Sequence, residues 1–312
     1  MRPLAPGDTI GIVSPASAAQ GTVYEDFSRI AESRGYSVKV FGETEPTFGR
    51  MTGSDRNRAN SLIAAFEDDE VTAVICARGG YGSGRLLSHL DPSRVKNKIF
   101  VGYSDITNLL VHLNTMCRIT TFHGPMAADL AGKNDPDTMR WLFSFLEGKR
   151  LAYDLSTKDH RVFRSGEASG MVFGGNISTL ETLIGTESWS MPEGAILFLE
   201  DTNEFMYSLD RSLVHLQRSG VFEKASAIIF ADLQLKDASD RDNSIGFLLE
   251  ELLEIHFGDF SGPIIFDAPC GHTQRQMTIP LGVQARLEAA HDGSRLEFEN
   301  FWNCHVPSIL AA

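Results

Sequence analysis

Four short segments carry residues whose types and spacing could do chemistry. In the first, Lys98-Ile99-Phe100-Val101 leads into Gly102-Tyr103-Ser104-Asp105, after which Ile106, Leu109, Leu110 and Leu113 recur at helical spacing. A serine on a strand-to-helix turn is presented at the carboxyl edge of a sheet, above a helix N-terminus that favours negative charge. Gly102 allows the tight turn, and the N–H of Asp105 is placed to serve an oxyanion hole. The segment departs from G-x-S-x-G because Ile106 stands where the second glycine would be. Capping the helix is the other role open to Ser104. The second segment is Ala77-Arg78-Gly79-Gly80-Tyr81-Gly82-Ser83-Gly84-Arg85. So many glycines mean that backbone must approach something closely. The spacing is not G-x-G-x-x-G, and the turn follows the third strand rather than the first, which disfavours a dinucleotide loop. Arg78, Gly79, Gly80 and Tyr81 are candidates for oxyanion or substrate contact; a mobile loop is the alternative.

The third segment, Ile196-Leu197-Phe198-Leu199-Glu200-Asp201, is an apolar strand ending in adjacent carboxylates. Such a carboxylate can orient an imidazole or simply mark an exposed strand end. The fourth, Ala268-Pro269-Cys270-Gly271-His272-Thr273, places a histidine in a small-residue loop after a strand. His123, in Thr121-Phe122-His123-Gly124-Pro125, competes with it. A hydroxyl is a weak nucleophile without an adjacent base, and the base needs a carboxylate to fix its tautomer. Cys76, Cys117, Cys270 and Cys304 form no C-x-x-C pair, which argues against a zinc site or disulfide framework and fits a reducing compartment.

Positioning these groups requires a sheet. Thr9–Val13, Ser37–Phe41, Thr72–Cys76 and Ile99–Gly102 read as strands, with helices over Val23–Ala31, Ser54–Phe66 and from about Asp105. Alternating strands and helices predict an α/β class, with an N-terminal doubly wound parallel-sheet domain over residues 1–150. Residues 151–164 are polar with little periodicity and read as a linker. Residues 165–312 read as a C-terminal mixed α+β domain with several short strands: Gly170–Phe173, Ala195–Leu199, Ala227–Phe230, Pro263–Phe266, Met277–Pro280, Gln284–Glu288 and Arg295–Phe298. Leu209–Leu216 and Phe247–His256 read as helices between them.

With 312 residues, 42% of them hydrophobic, the chain can bury a large core, and two domains are the default. A formal net charge of -13 disfavours a nucleic-acid partner. The run Ile10-Gly11-Ile12-Val13 is too short for a signal peptide, and no segment approaches the ~20 apolar residues of a membrane span. A cytoplasmic protein without a membrane partner is expected.

Taken together, Arg78-Gly79-Gly80-Tyr81-Gly82, Gly102-Tyr103-Ser104-Asp105, Phe122-His123-Gly124-Pro125-Met126, Gly174-Gly175-Asn176, Leu199-Glu200-Asp201 and Gly271-His272 resemble the LD-carboxypeptidases. That family comprises serine peptidases of muropeptide recycling and related microcin-immunity peptidases. The resemblance runs from the first strand to the last. It implies a triad of Ser104 as nucleophile, His272 as general base and acid, and Glu200 orienting His272. It also implies oxyanion donors from Asp105 and the Gly79-Gly80 turn, no metal or organic cofactor, and a homodimer. The implied reaction is hydrolysis of the amide between an L-centre of diaminopimelate type and a C-terminal D-alanine of a cytoplasmic muropeptide. The chain departs from the family at Ala231-Asp232-Leu233, where Gly-Asp-Phe is usual, and at Phe205-Met206, where small residues or proline are usual. Three rival readings remain, the first within the same family and the other two outside it. A microcin-immunity-type peptidase acting on an aminoacyl-nucleotide amide would want an aromatic platform such as Trp189 or Trp302. A nucleotide-binding regulatory protein would use the Gly79–Gly84 loop. A non-catalytic binding module would leave the Ser-Glu-His set idle.

Overall fold

The computed structural model describes residues 1–42, 47–132, 135–236 and 245–302; the side chain of Asp232, like Cys304, lies outside that set. The chain divides into two compact units. The first holds Met1–Leu151, Gln274–Val283 and the segment from Glu299; the second holds Ala152–Thr273 and Gln284–Phe298.

The first unit is built on β1 (Thr9–Val13), β2 (Ser37–Phe41), β5 (Val71–Cys76), β6 (Ile99–Gly102) and β7 (Thr121–His123), with the small hairpin β3 (Thr47–Phe48) and β4 (Met51–Thr52) beside them. The sheet order is β14-β7-β6-β5-β1-β2, and all pairs are parallel except the edge strand β14 (Ile279–Leu281), which runs antiparallel to β7. From β1 the chain first pairs to one side with β2, then returns to pair on the other with β5. That reversal is a topological switch point, and ligands in such sheets bind outside the carboxyl ends of the strands there. Ile10, Ile12, Val74, Ile75, Phe100 and Val101 are fully buried, which is why these strands read as continuous apolar runs. The helices are α1 (Val23–Glu32), α2 (Asp55–Glu67), α3 (Thr107–Cys117), α4 (Ala127–Gly132) and α5 (Pro136–Leu146). Ser54 caps α2 by accepting from the N–H of Asn57 at 3.2 Å. Asp135 caps α5 through Asp137 and Thr138, with Pro136 inside the first turn.

The second unit carries an eight-stranded sheet in the order β8-β16-β15-β10-β11-β12-β13-β9. Its strands are β8 (Ala152–Leu155), β9 (Arg161–Arg164), β10 (Gly166–Asn176), β11 (Ala195–Thr202), β12 (Ala225–Gln234), β13 (Ile264–Ala268), β15 (Gln284–Ala289) and β16 (Ser294–Phe298). β10 to β13 are parallel to one another, and the flanking strands are antiparallel. Helices α6 (Ile177–Leu180), α7 (Met206–Arg218) and α8 (Leu249–Phe257) connect them. No described helix is long and apolar enough to cross a membrane.

Two sequence expectations are corrected. Residues 151–164 are not a linker: they form β8 and β9, the two edges of the second sheet. Edge strands lack a neighbour on one side, so their sparse apolar residues hide the strand pattern. The domain division at 150 also does not hold to the end of the chain. The segment expected as a C-terminal-domain strand at Met277–Pro280 supplies β14 to the first sheet, and Phe301 and Trp302 pack on Phe122 of that unit. Pairing across about 150 residues leaves no local signal.

Candidate active site

Ser104 opens a short 3-10 turn between β6 and α3, with φ of 62°. Among the described residues, the other non-glycine residues at positive φ are Arg118, Asn203 and Asp267. Asn and Asp tolerate that region, and Arg118 is the left-handed C-cap of α3. Ser104 has no such local reason, so its conformation must be imposed by its surroundings, at a cost of order 1–3 kcal/mol.

Several contacts impose it. A Cβ on Gly102 would lie 2.6 Å from Ile106 Cγ2, so the branched side chain fills the space against the bare glycine. The missing second glycine of the elbow pattern is therefore compensated from the other side of the turn. Tyr103 is buried and its hydroxyl donates to Asp129 Oδ1 at 2.9 Å, while Gly124 N donates to Gly102 O at 3.1 Å. A Cβ on Gly79 would lie 3.1 Å from Ser104 Cβ, so a side chain there would press Ser104 aside by a few tenths of an ångström. Gly80, at φ 107°, covers Ser17, whose hydroxyl accepts from Tyr81 N at 3.2 Å. Among the described residues, the N–H groups of Gly80 and Asp105 donate to no protein acceptor. The Asp105 carboxylate faces its own scaffold: it accepts from Gly82 N at 3.3 Å and Ser83 N at 2.8 Å, and Ser83 Oγ donates to Asp105 O. The glycine turn is thus an anchored element rather than a mobile loop.

Arg58 was not singled out by the sequence reading. It is buried on α2, donates to Pro15 O and to Gly82 O at 2.9 Å, and pairs with Asp55. Burial pushes its pKa down. The available signal was its spacing: Arg58 falls four residues before Leu62, on the apolar face of its helix. His123, the competing histidine, lies fully buried in β7.

In the second unit, Glu200 and His272 come together. Glu200 is fully buried on β11, and its Oε2 lies 2.8 Å from His272 Nδ1. A carboxylate can only accept, so Nδ1 carries the proton and Nε2 of the neutral ring is the acceptor. Gly271, at φ 79°, makes this approach available: a Cβ there would lie 2.7 Å from Glu200 Oε2. Gln234 Nε2 donates to His272 O at 2.9 Å and fixes the loop from a second strand. His272 keeps 22% of its side chain exposed.

Asp201 has a different task. Its carboxylate accepts from Asn176 Nδ2 at 3.0 Å, Ser178 N at 3.0 Å and Thr202 N at 2.8 Å, fastening the end of β10 and the start of α6. Burial, reinforced by the neighbouring Glu200 charge, pushes its carboxyl up to about 6. Cys76 and Cys270 are buried with thiols pushed well above their ordinary pKa by that burial, so neither is an activated nucleophile. No group of three His, Cys, Asp or Glu side chains among the described residues could hold a metal ion. Trp302 stacks on Phe122 in the core of the first unit, and Trp189 packs edge-on to Phe173, 5.3 Å between centroids. Core packing removes Trp302 as a platform for a base.

A strained hydroxyl beside unengaged backbone donors, and an imidazole oriented by a buried carboxylate, are the equipment of a hydrolase working on acyl groups. Residues 10–124 match the LD-carboxypeptidase N-terminal domain, and residues 169–287 match the LD-carboxypeptidase C-terminal domain. The chain belongs to the LD-carboxypeptidase family and is a hydrolase of the carboxypeptidase class. It is 31% identical over 295 residues to the probable murein peptide carboxypeptidase of Bacillus subtilis (strain 168), covering 93% of this chain and 92% of that one. It is 30% identical over 325 residues to the microcin C7 self-immunity protein of Escherichia coli, covering 92% of each. A crystal structure of muramoyltetrapeptide carboxypeptidase from Oxalobacter formigenes superposes with a TM-score of 0.85 at 27% identity, covering 94% of this chain and 99% of that one.

Proposed function

We propose that this chain is a serine-type LD-carboxypeptidase that removes the C-terminal D-alanine from a muropeptide by cleaving its amide to an L-configured, diaminopimelate-type centre, as a step in cytoplasmic cell-wall recycling. The observation that carries the reading is the left-handed backbone of Ser104, held there by the Gly79, Ile106 and Asp105 contacts. In the proposed reaction Ser104 Oγ attacks the scissile carbonyl carbon and its proton passes to His272 Nε2. The N–H groups of Asp105 and Gly80 donate to the oxyanion that forms. The C–N bond then breaks, His272 returns the proton to the departing D-alanine amine, and an ester remains on Ser104. A water molecule gives its proton to His272 and attacks that ester; the C–O bond to Ser104 then breaks, His272 returns the proton to Ser104 Oγ, and the shortened peptide leaves. Glu200 keeps the proton on Nδ1 and stabilises the imidazolium in both halves.

The test is incubation with tetrapeptide muropeptide and mass spectrometry for loss of a single alanine. Ser104→Ala is expected to lower kcat by about 10⁶, as triad knockouts do elsewhere. Hydrolysis by Ser104→Ala at near the wild-type rate would overturn the serine mechanism. The similarity to the microcin self-immunity protein supports a second reading, cleavage of an aminoacyl-nucleotide amide. Offering both substrates to the same preparation and comparing kcat/KM separates the two.

A further inference from the structure

Three arginines surround the glycine turn next to Ser104, and two of them are committed. Arg58 is bound to Asp55 and to two backbone carbonyls, and Arg85 pairs with both oxygens of Asp55 at 2.8–3.0 Å. The adjacent Asp105 carboxylate is occupied by the N–H groups of Gly82 and Ser83. Arg78 is different. It is half-buried, and among the described residues its guanidinium makes no hydrogen bond or ion pair. Its Nη2 lies 3.9 Å from where a Cβ on Gly80 would be, so it lies along the turn whose Gly79 packs on Ser104. In a chain of net charge -13, acidic partners are plentiful, and among the described residues none pairs with this one. A partly desolvated cation without a counter-charge is costly to keep unless an anion arrives there.

A carboxypeptidase substrate brings such an anion. When the last peptide bond is cleaved, the terminal carboxylate follows the scissile carbonyl by one residue, a step of about 3.8 Å between Cα atoms. Arg78 is likewise one residue from the glycine that touches Ser104. The guanidinium presents a planar fork that matches a carboxylate in two parallel hydrogen bonds. We propose that Arg78 anchors the substrate's terminal carboxylate and so confines the Ser104 centre to the last bond of a peptide. This rests on the Ser104 reading. A peptide extended or amidated at its C-terminus leaves the fork unpaired and is rejected for that reason.

The test compares binding of two D-alanine-terminated tetrapeptides, identical except that one ends in a free acid and the other in an amide. Calorimetry is run on Ser104→Ala, on Ser104→Ala/Arg78→Gln and on Ser104→Ala/Arg78→Lys. The acid is expected to bind about 10- to 100-fold tighter than the amide in the first protein, the worth of a charge-assisted pair. The ratio should fall to within about 3-fold in the glutamine variant and lie between the two for lysine, which keeps the charge without the fork. Because the Arg78 guanidinium makes no hydrogen bond or ion pair among the described residues, the melting temperature should stay at that of the parent. An acid preference that survives Arg78→Gln, equal binding of acid and amide in the parent, or binding of neither peptide overturns the anchor. Failure of the wild-type enzyme to hydrolyse the acid peptide, with an Arg78-dependent ratio intact, would remove the functional reading and leave the anchor standing.

Discussion

Glu200→Gln and Asp201→Asn change neighbouring carboxylates that the structure gives different work. Glu200 is fully buried, and the bare Cα of Gly271 lets its carboxylate reach His272. Glutamine fits the same volume. If its oxygen faces Nδ1, the tautomer is kept but the charge opposite the imidazolium is lost. If its NH2 faces Nδ1, the proton moves to Nε2 and the base is disabled. The corresponding change in a trypsin-type triad lowers kcat by about 10⁴, or roughly 5.5 kcal/mol at 1.36 kcal/mol per decade. Because the less damaging orientation is open to glutamine here, the expected loss is about 10² to 10⁴. Asp201 instead receives three N–H donors from Asn176, Ser178 and Thr202. An asparagine must set its own NH2 against at least one of them, a loss of about 1–3 kcal/mol of stability. Its kcat should stay close to wild type. The assay is kcat for alanine release together with the melting temperature of both variants. If Asp201→Asn is inactive and stable while Glu200→Gln turns over normally, the assignment of the orienting acid is wrong.

Asp201 also has a pH signature. Its folded pKa is raised from 3.8 to about 6, so its contribution to stability is fully present below about pH 3.8 and is lost as pH rises through 6. That shift of about 2 units corresponds to ~3 kcal/mol, so the stability gap between wild type and Asp201→Asn should narrow by up to about that much from pH 4 to 7.5; a gap constant with pH would refute the buried-charge argument. Gly79→Ala places a methyl 3.1 Å from Ser104 Cβ and 3.4 Å from Tyr103 O. The shift it forces should cost about 10- to 100-fold in kcat, measured by single turnover, and an unchanged rate would show that Gly79 does not set the position of Ser104. Chelation should leave turnover unchanged; activity lost to EDTA and restored by a metal ion would contradict a metal-independent mechanism.

The sequence alone determined β1, β5 and β6 of the first sheet, because strands buried on both faces are continuous apolar runs, and it marked the edge strand β2 by its alternating Val38 and Val40, while the three-residue β7 was too short to be read. It also marked Ser104, Glu200 and His272, since each ends an apolar strand or follows one in a loop of small residues. What it could not show is anything made by contacts distant along the chain. The edge strands β8 and β9 lack the apolar pattern that reveals buried strands. β14 belongs to the first sheet only because it pairs with β7 about 150 residues earlier. Asp105 and Arg78 stand in adjacent motifs and look equally available, yet Asp105 is spent on the turn and Arg78 pairs with no described residue. Likewise, Glu200 and Asp201 are chemically alike neighbours, and only the tertiary structure, by setting His272 against one and Asn176 with Ser178 against the other, gave them separate roles. The physical reason is the same in each case. Burial and periodicity are local and are written along the chain, whereas hydrogen-bond partners are chosen in three dimensions among groups of identical chemistry.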